Sequence, residues 1–134
     1  MATTIRPELS KKSPYYIDKQ RYYELKHYCR QYRDWLAQVR DIDAKCKKEK
    51  VLDGDYDNPT AEQAIRYAYF KTQIEIVERV AVLTDDFLAP YILKGVTEDL
   101  TYNDLMMQVD VPCSRVTYYK RYRKFFWILD NEKL

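Results

Sequence analysis

The chain has 134 residues, enough for one domain or a compact two-part unit with a real core, and only 2 glycines and 5 prolines exclude a loop-rich or disordered protein. Lys and Arg number 23 against 21 acids, a net charge of +2, so any nucleic-acid binding has to come from a local patch. Aromatics are skewed to tyrosine, 14 against 4 phenylalanines, and a ring with a polar tip suits half-buried packing between helices.

Residues 1–13 are polar, carry a Lys11-Lys12 pair, and read as a mobile arm. An extended lead-in, Pro14 to Ile17, brings the chain to Asp18, a good N-cap. The first long helix is expected over 19–40, because Tyr22, Leu25, Cys29, Tyr32, Leu36 and Val39 repeat at steps of three and four, a heptad-like seam. Its other face is basic through Arg21, Lys26, Arg30, Arg33 and Arg40. The pattern breaks over 41–59, where Lys45, Lys47, Lys48 and Lys50 make a charged patch and Gly54 and Pro59 punctuate a flexible connection. Asp53, Asp55 and Asp57 alternate there, but Gly54 is misplaced for a calcium loop and no glutamate closes it.

Thr60 and Gln63 form a capping box that opens a second long helix over 61–83. Two apolar stripes run along it, one through Ala61, Ile65, Ala68, Thr72, Ile76, Val80 and Leu83, the other through Tyr67, Phe70, Ile74, Val77 and Ala81. A face that wide is expected to meet the first helix and something more, either the C-terminal part or a second copy of the chain. Thr84, Asp85 and Asp86 offer the next cap, and Phe87, Leu88, Tyr91, Ile92 and Val96 line a short third helix with Pro90 in its first turn and Gly95 near its end.

The run over 101–129 is the most informative. Thr101 caps a short helix, with Asp104 placed to reach back to the cap amide and Leu105 and Met106 on the apolar side. Pro112 interrupts the pattern, and Ser114 caps a second helix over 114–129. Val116, Tyr119, Tyr122, Phe126 and Leu129 step by three and four and are expected to form its buried stripe. The other face carries Arg115, Thr117, Tyr118, Lys120, Arg121 and Lys124, and no acid lies between Val111 and Trp127. Short helix, tight connection and basic helix make the pattern of a helix-turn-helix, whose second helix enters the major groove. An ordinary αα-hairpin with a solvated basic face is the plain alternative.

Three segments together resemble a family: KQRYYELKHYCRQY at 19–32, Ala89 with YILKGVTEDLTYNDL at 91–105, and VPCSRVTYYKRYRKFFWIL at 111–129. They look like the small phage-encoded ArpU/RinA-like late-transcription regulators of Gram-positive hosts and related phage proteins. The resemblance covers most of the chain, and its most specific part is the Pro-Cys-Ser-Arg turn before the aromatic, basic helix. It implies a helical N-terminal part followed by a helix-turn-helix similar to the DNA-binding region of sigma factors. It implies DNA binding near phage late genes, with host RNA polymerase as a further partner, and gives the DNA-facing role to Ser114, Arg115, Thr117, Tyr118, Arg121 and Lys124.

The reading that follows is an all-α protein: an arm and lead-in over 1–17, a two-helix hairpin over 18–83, and a three-helix helix-turn-helix unit over 84–134. The leading function is a DNA-binding transcriptional regulator in the cytoplasm of a bacterial host, bound to double-stranded DNA through Ser114, Arg115, Thr117, Tyr118, Lys120, Arg121 and Lys124. Arg115 and Thr117 would meet base edges, Lys120, Arg121 and Lys124 phosphates, and Tyr118 either. Arg123 falls beside the expected buried stripe. A homodimer would space two recognition helices along the duplex. The alternative is a small interaction module that inhibits a host protein, a polymerase or a defence nuclease such as a CRISPR effector, since Arg and Tyr are what interface hot spots favour.

No enzyme is legible, because the chain has one histidine, no Gly-rich phosphate loop and no nucleophile with an evident base. No cofactor or metal is expected either: Cys29, Cys46 and Cys113 lie far apart, and His27 two residues before Cys29 is the wrong helical spacing for a shared ion. The odd, scattered cysteines point to reduced thiols, and no apolar run is long enough for a membrane span.

Overall fold

The computed structural model describes residues 13–53 and 60–132, the side chains of 48–53 excepted. Residues 1–12 of the expected arm, and Gly54, Asp55 and Asp57 of the connection, lie outside the described residues. Among those described there are six helices and no strand: α1 (Lys19–Cys29), α2 (Tyr32–Asp53), α3 (Ala61–Thr84), α4 (Ala89–Glu98), α5 (Tyr102–Gln108) and α6 (Arg115–Glu132). The chain divides into two compact units, Met1–Gln31 with Ile76–Leu134 and, separately, Tyr32–Glu75.

Local signals set most helix starts. The Asp18 carboxylate accepts from the Gln20 amide (3.1 Å). Thr60 and Gln63 exchange bonds reciprocally, Gln63 N–H to Thr60 Oγ1 (3.1 Å) and Thr60 N–H to Gln63 Oε1 (3.0 Å), which satisfies two amides that a helix start leaves without partners.

The expected helix over 19–40 is in fact two. Arg30 and Gln31 form a turn, with the Gln31 amide bonded to the Tyr28 carbonyl (3.1 Å), and beyond it Tyr32 of the expected seam is buried together with Trp35 and Ile42, whereas Leu36 and Val39 are half-buried. The second piece then runs through the charged stretch to Asp53 rather than ending at Arg40. Lys and Glu are good helix formers, and the Asp41–Lys45 pair (3.4 Å) adds i,i+4 support. Most of what reads as a flexible connection over 41–59 is therefore helix.

In the smaller unit, α2 and the start of α3 are linked by Arg66, which donates to the Gln38 side-chain oxygen (2.8 Å). Of the two stripes on α3, the one through Tyr67, Phe70 and Ile74 is half-buried at its first two residues and buried at Ile74, whereas Ala61, Ile65, Ala68 and Thr72 are exposed.

In the larger unit, α1 packs against α6 and α4, and α4, α5 and α6 pack on one another. The sequence groups α1 with α3, but the buried side of α1, Tyr22, Leu25 and Cys29, lies instead with the aromatic side of α6. Tyr22 meets Phe126 edge-on (5.2 Å between centroids), and Tyr122 and Phe125 flank Phe126 at 5.3 and 5.2 Å. Two ion pairs close the rim, Arg21 with Asp130 and Lys26 with Asp99 (3.1 Å). The lead-in joins this unit too, with Ile17 buried and the Tyr15 ring 5.6 Å from Trp127.

Gly95, expected near the end of α4, lies inside it. A Cβ there would collide with the Tyr118 hydroxyl, so the missing side chain is what lets α6 approach α4. The helix ends at Glu98, and Asp99 takes the left-handed conformation (φ 56°) that glycine often fills at a helix end. Aspartate tolerates that region better than most residues, and its carboxylate is anchored by Lys26.

Candidate nucleic-acid interface

The candidate surface is the start and outward side of α6 with α5 beside it. α5 opens where Thr101 Oγ1 accepts from the Asp104 amide (3.1 Å). α6 opens where Ser114 Oγ accepts from the Thr117 amide (3.2 Å) and the two hydroxyls bond each other (3.2 Å). Between them, residues 109–114 bury Val111 (7% exposed) and leave Pro112 outside. Tyr102 fastens this connection at both ends: its amide donates to the Tyr119 hydroxyl (2.9 Å), and its own hydroxyl donates to the Cys113 carbonyl (2.6 Å). Burial and the nearby Asp85 charge push the Cys113 thiol above its ordinary range, which disfavours the nucleophilic thiolate.

The seven residues expected to face DNA separate into three groups. Ser114, Arg115 and Lys120 are exposed, with Thr117 and Lys124 half-buried. Arg115 is held in place: its guanidinium donates to the Asn103 side-chain oxygen (2.7 Å) and lies 5.4 Å from the centre of the Tyr102 ring. Arg121 turns aside and pairs with Asp85 (2.8 Å), a carboxylate that also accepts from the Leu88 amide (3.0 Å). Arg121 and that amide together hold the Asp85 carboxyl below the usual carboxylate range. The pair ties α6 to the turn before α4.

Tyr118 does not belong with the outward group. It is completely buried, its hydroxyl donating to the Leu100 carbonyl (3.3 Å) over Gly95, so its ring is unable to reach a base or a phosphate. Val116 makes the opposite change: assigned to the buried stripe by spacing, it is 63% exposed. The buried line is Tyr118, Tyr122, Phe125 and Leu129, with Tyr119 and Phe126 alongside. Opposite that line, at 100° per residue, lie Val116, Lys120, Arg123 and Trp127, with Lys124 at the edge. Exposed Val116 and half-buried Arg123 thus lie on the outward side, where the expected stripe did not place them. The four-three-four spacing of Tyr118, Tyr122, Phe125 and Leu129 was the signal available for them.

Lys120, Arg123 and Lys124 have no carboxylate partner among the described residues, whereas Glu98 and Asp99 are occupied by Lys94 (3.0 Å) and Lys26 (3.1 Å). The outward side of α5 differs in character. It exposes Met107 (86%), Met106 and Asp104 and has no cation. Among the described residues no group of His, Cys, Asp or Glu is placed to hold a metal ion, and no helix is long and apolar enough to cross a membrane.

No protein-family model, curated protein or solved structure matches the chain.

Proposed function

We propose that the chain is a phage-type transcriptional regulator that binds double-stranded DNA, with α5 and α6 acting as a helix-turn-helix and α6 lying in the major groove. The observation that carries this reading is the outward group of Lys120, Arg123 and Lys124, cations without carboxylate partners among the described residues, on the helix whose first residue is Arg115, its guanidinium held by Asn103. A guanidinium oriented in advance loses little freedom on meeting guanine O6 and N7, and the lysines neutralise phosphates on either side. Arg121 serves in this scheme as a positioning residue that sets α6 through Asp85. Ser114 and Thr117 shape the first turn.

The test is selection from a random duplex library with the full chain at two salt concentrations. A recovered motif whose preference weakens in Arg115→Ala supports the reading; retention without any motif, vanishing as salt rises, overturns it.

A second reading is favoured by one feature, the exposed Met106 and Met107 on a helix without cations. Methionine-rich surfaces adapt to protein partners, and in this reading the chain is an interaction module that binds and inhibits a host protein such as a polymerase or a defence nuclease. Met107→Asp would abolish such binding and leave duplex binding intact.

A further inference from the structure

The first turn of α6 offers few side chains to a partner. The Ser114 hydroxyl is engaged twice, accepting from the Thr117 amide and donating to the Thr117 hydroxyl, so it reads no base without opening the cap, and Thr117 is half-buried beside it. Tyr118 is buried. The exposed side chains of the turn are Arg115 and Val116, one polar and one apolar.

Val116 is anomalous as a structural residue. A β-branched side chain is a poor choice for an exposed helix position, and at 63% exposure it returns little burial for the loss. It heads the same outward line as Lys120, one turn on, so a groove that took Lys120 against a phosphate would receive Val116 nearer its floor. The floor of the major groove has one apolar feature, the C5 methyl of thymine.

We infer that Val116 is a specificity-determining residue that packs on a thymine methyl beside the base pair met by Arg115. The inference rests on the DNA-binding reading above and adds to it a named base feature and the residue that reads it. It also accounts for valine where a small or polar residue would serve the helix better: alanine would leave the methyl in water, and a polar residue would have to be desolvated against it.

The experiment is a uracil scan. The preferred duplex is first selected with the full chain, and each thymine is then replaced singly by deoxyuridine, which removes the methyl and leaves the pairing edge unchanged. Affinities are measured for the wild type and for Val116→Ala, with helix content and melting followed by circular dichroism. Val116 is exposed and makes no cap bond, so the variant keeps its fold. The expected result is one thymine whose replacement weakens wild-type binding about fourfold, the factor for one buried methyl, and weakens Val116→Ala binding by no more than its error. Two results overturn the inference while leaving duplex recognition standing: every thymine tolerates replacement in the wild type, or the loss is equal in the variant. A motif without thymine does the same. Failure to select any duplex overturns the inference and the DNA-binding reading together.

Discussion

Phe126 and Lys120 stand on one helix less than two turns apart, and they answer to different constraints. The side of α6 that carries Phe126 is fully buried against α1 and α4, with rings at 5.2 to 5.7 Å along Tyr22, Phe126, Tyr122 and Tyr118. The side that carries Lys120 is exposed at Val116 and Lys120, half-buried at Arg123 and Lys124, and holds most of the positive charge of the helix. The buried side supplies stability, and in the DNA-binding reading the outward side supplies recognition. Substitutions on the two sides should therefore separate cleanly into changes in melting and changes in binding.

The largest effect is expected from Phe126→Ala. Removing this ring leaves a cavity between α1 and α6 and should destabilise the protein by about 3–5 kcal/mol, read as a lower denaturation midpoint in urea. If the variant melts like the wild type, the aromatic side is not the core of its unit.

Gly95→Ala comes next. Its methyl would overlap the Tyr118 hydroxyl and is expected to lower stability by about 1–3 kcal/mol. Tyr118→Phe in the same chain should recover part of that loss, because the hydroxyl is the closest atom. Additive losses in the double variant would mean that Gly95 matters for some reason other than Tyr118.

Asp85 and Arg121 sit between the two sides, and their effect is smaller. The folded carboxyl lies below its unfolded value, so the pair's contribution is present at neutral pH, above the unfolded pKa. It is lost as pH falls through the folded pKa. With side chains 21% and 36% exposed, about 1 kcal/mol is reasonable. Asp85→Asn should melt lower than wild type at pH 7, with the gap closing as the solution is acidified. A gap that persists unchanged at low pH would assign the loss to packing rather than charge.

Lys120→Ala and Lys124→Ala should give the smallest change in stability, within about 0.5 kcal/mol. Each should instead reduce the dependence of log affinity for duplex on log salt by about one. A large loss of stability in either variant would break the separation between the two sides.

The helix starts show how far local chemistry reaches. Asp18, Thr60, Thr101 and Ser114 are legible as caps because each acts on amides within three residues of itself, and each accepts such a bond in the structure. The all-helical character is equally legible, since periodicities near 3.6 run through almost every segment. Part of the candidate surface follows from the same kind of reasoning: of the seven residues named, Ser114, Arg115 and Lys120 are exposed.

What the chain order alone could not decide was which side of each helix faces inward. Val116 and Tyr118 differ by two residues, and stripes begun at either one step by three and four. Only the approach of α4, open at Gly95, selects Tyr118 for the interior and turns Val116 outward. The partner of α1 was undetermined for the same reason, because an apolar side is satisfied by any apolar side that fits. The break at Arg30 and Gln31 divides what reads as one seam, leaving α1 in the unit of α4 and α6 while α2 enters the other. The sequence by itself determined where helices begin and that they are amphipathic, because those properties are set by neighbours within about a turn. The tertiary structure decided which stripes are buried and which cations are occupied, because burial and pairing depend on residues far along the chain, as in the 36-residue reach from Asp85 to Arg121.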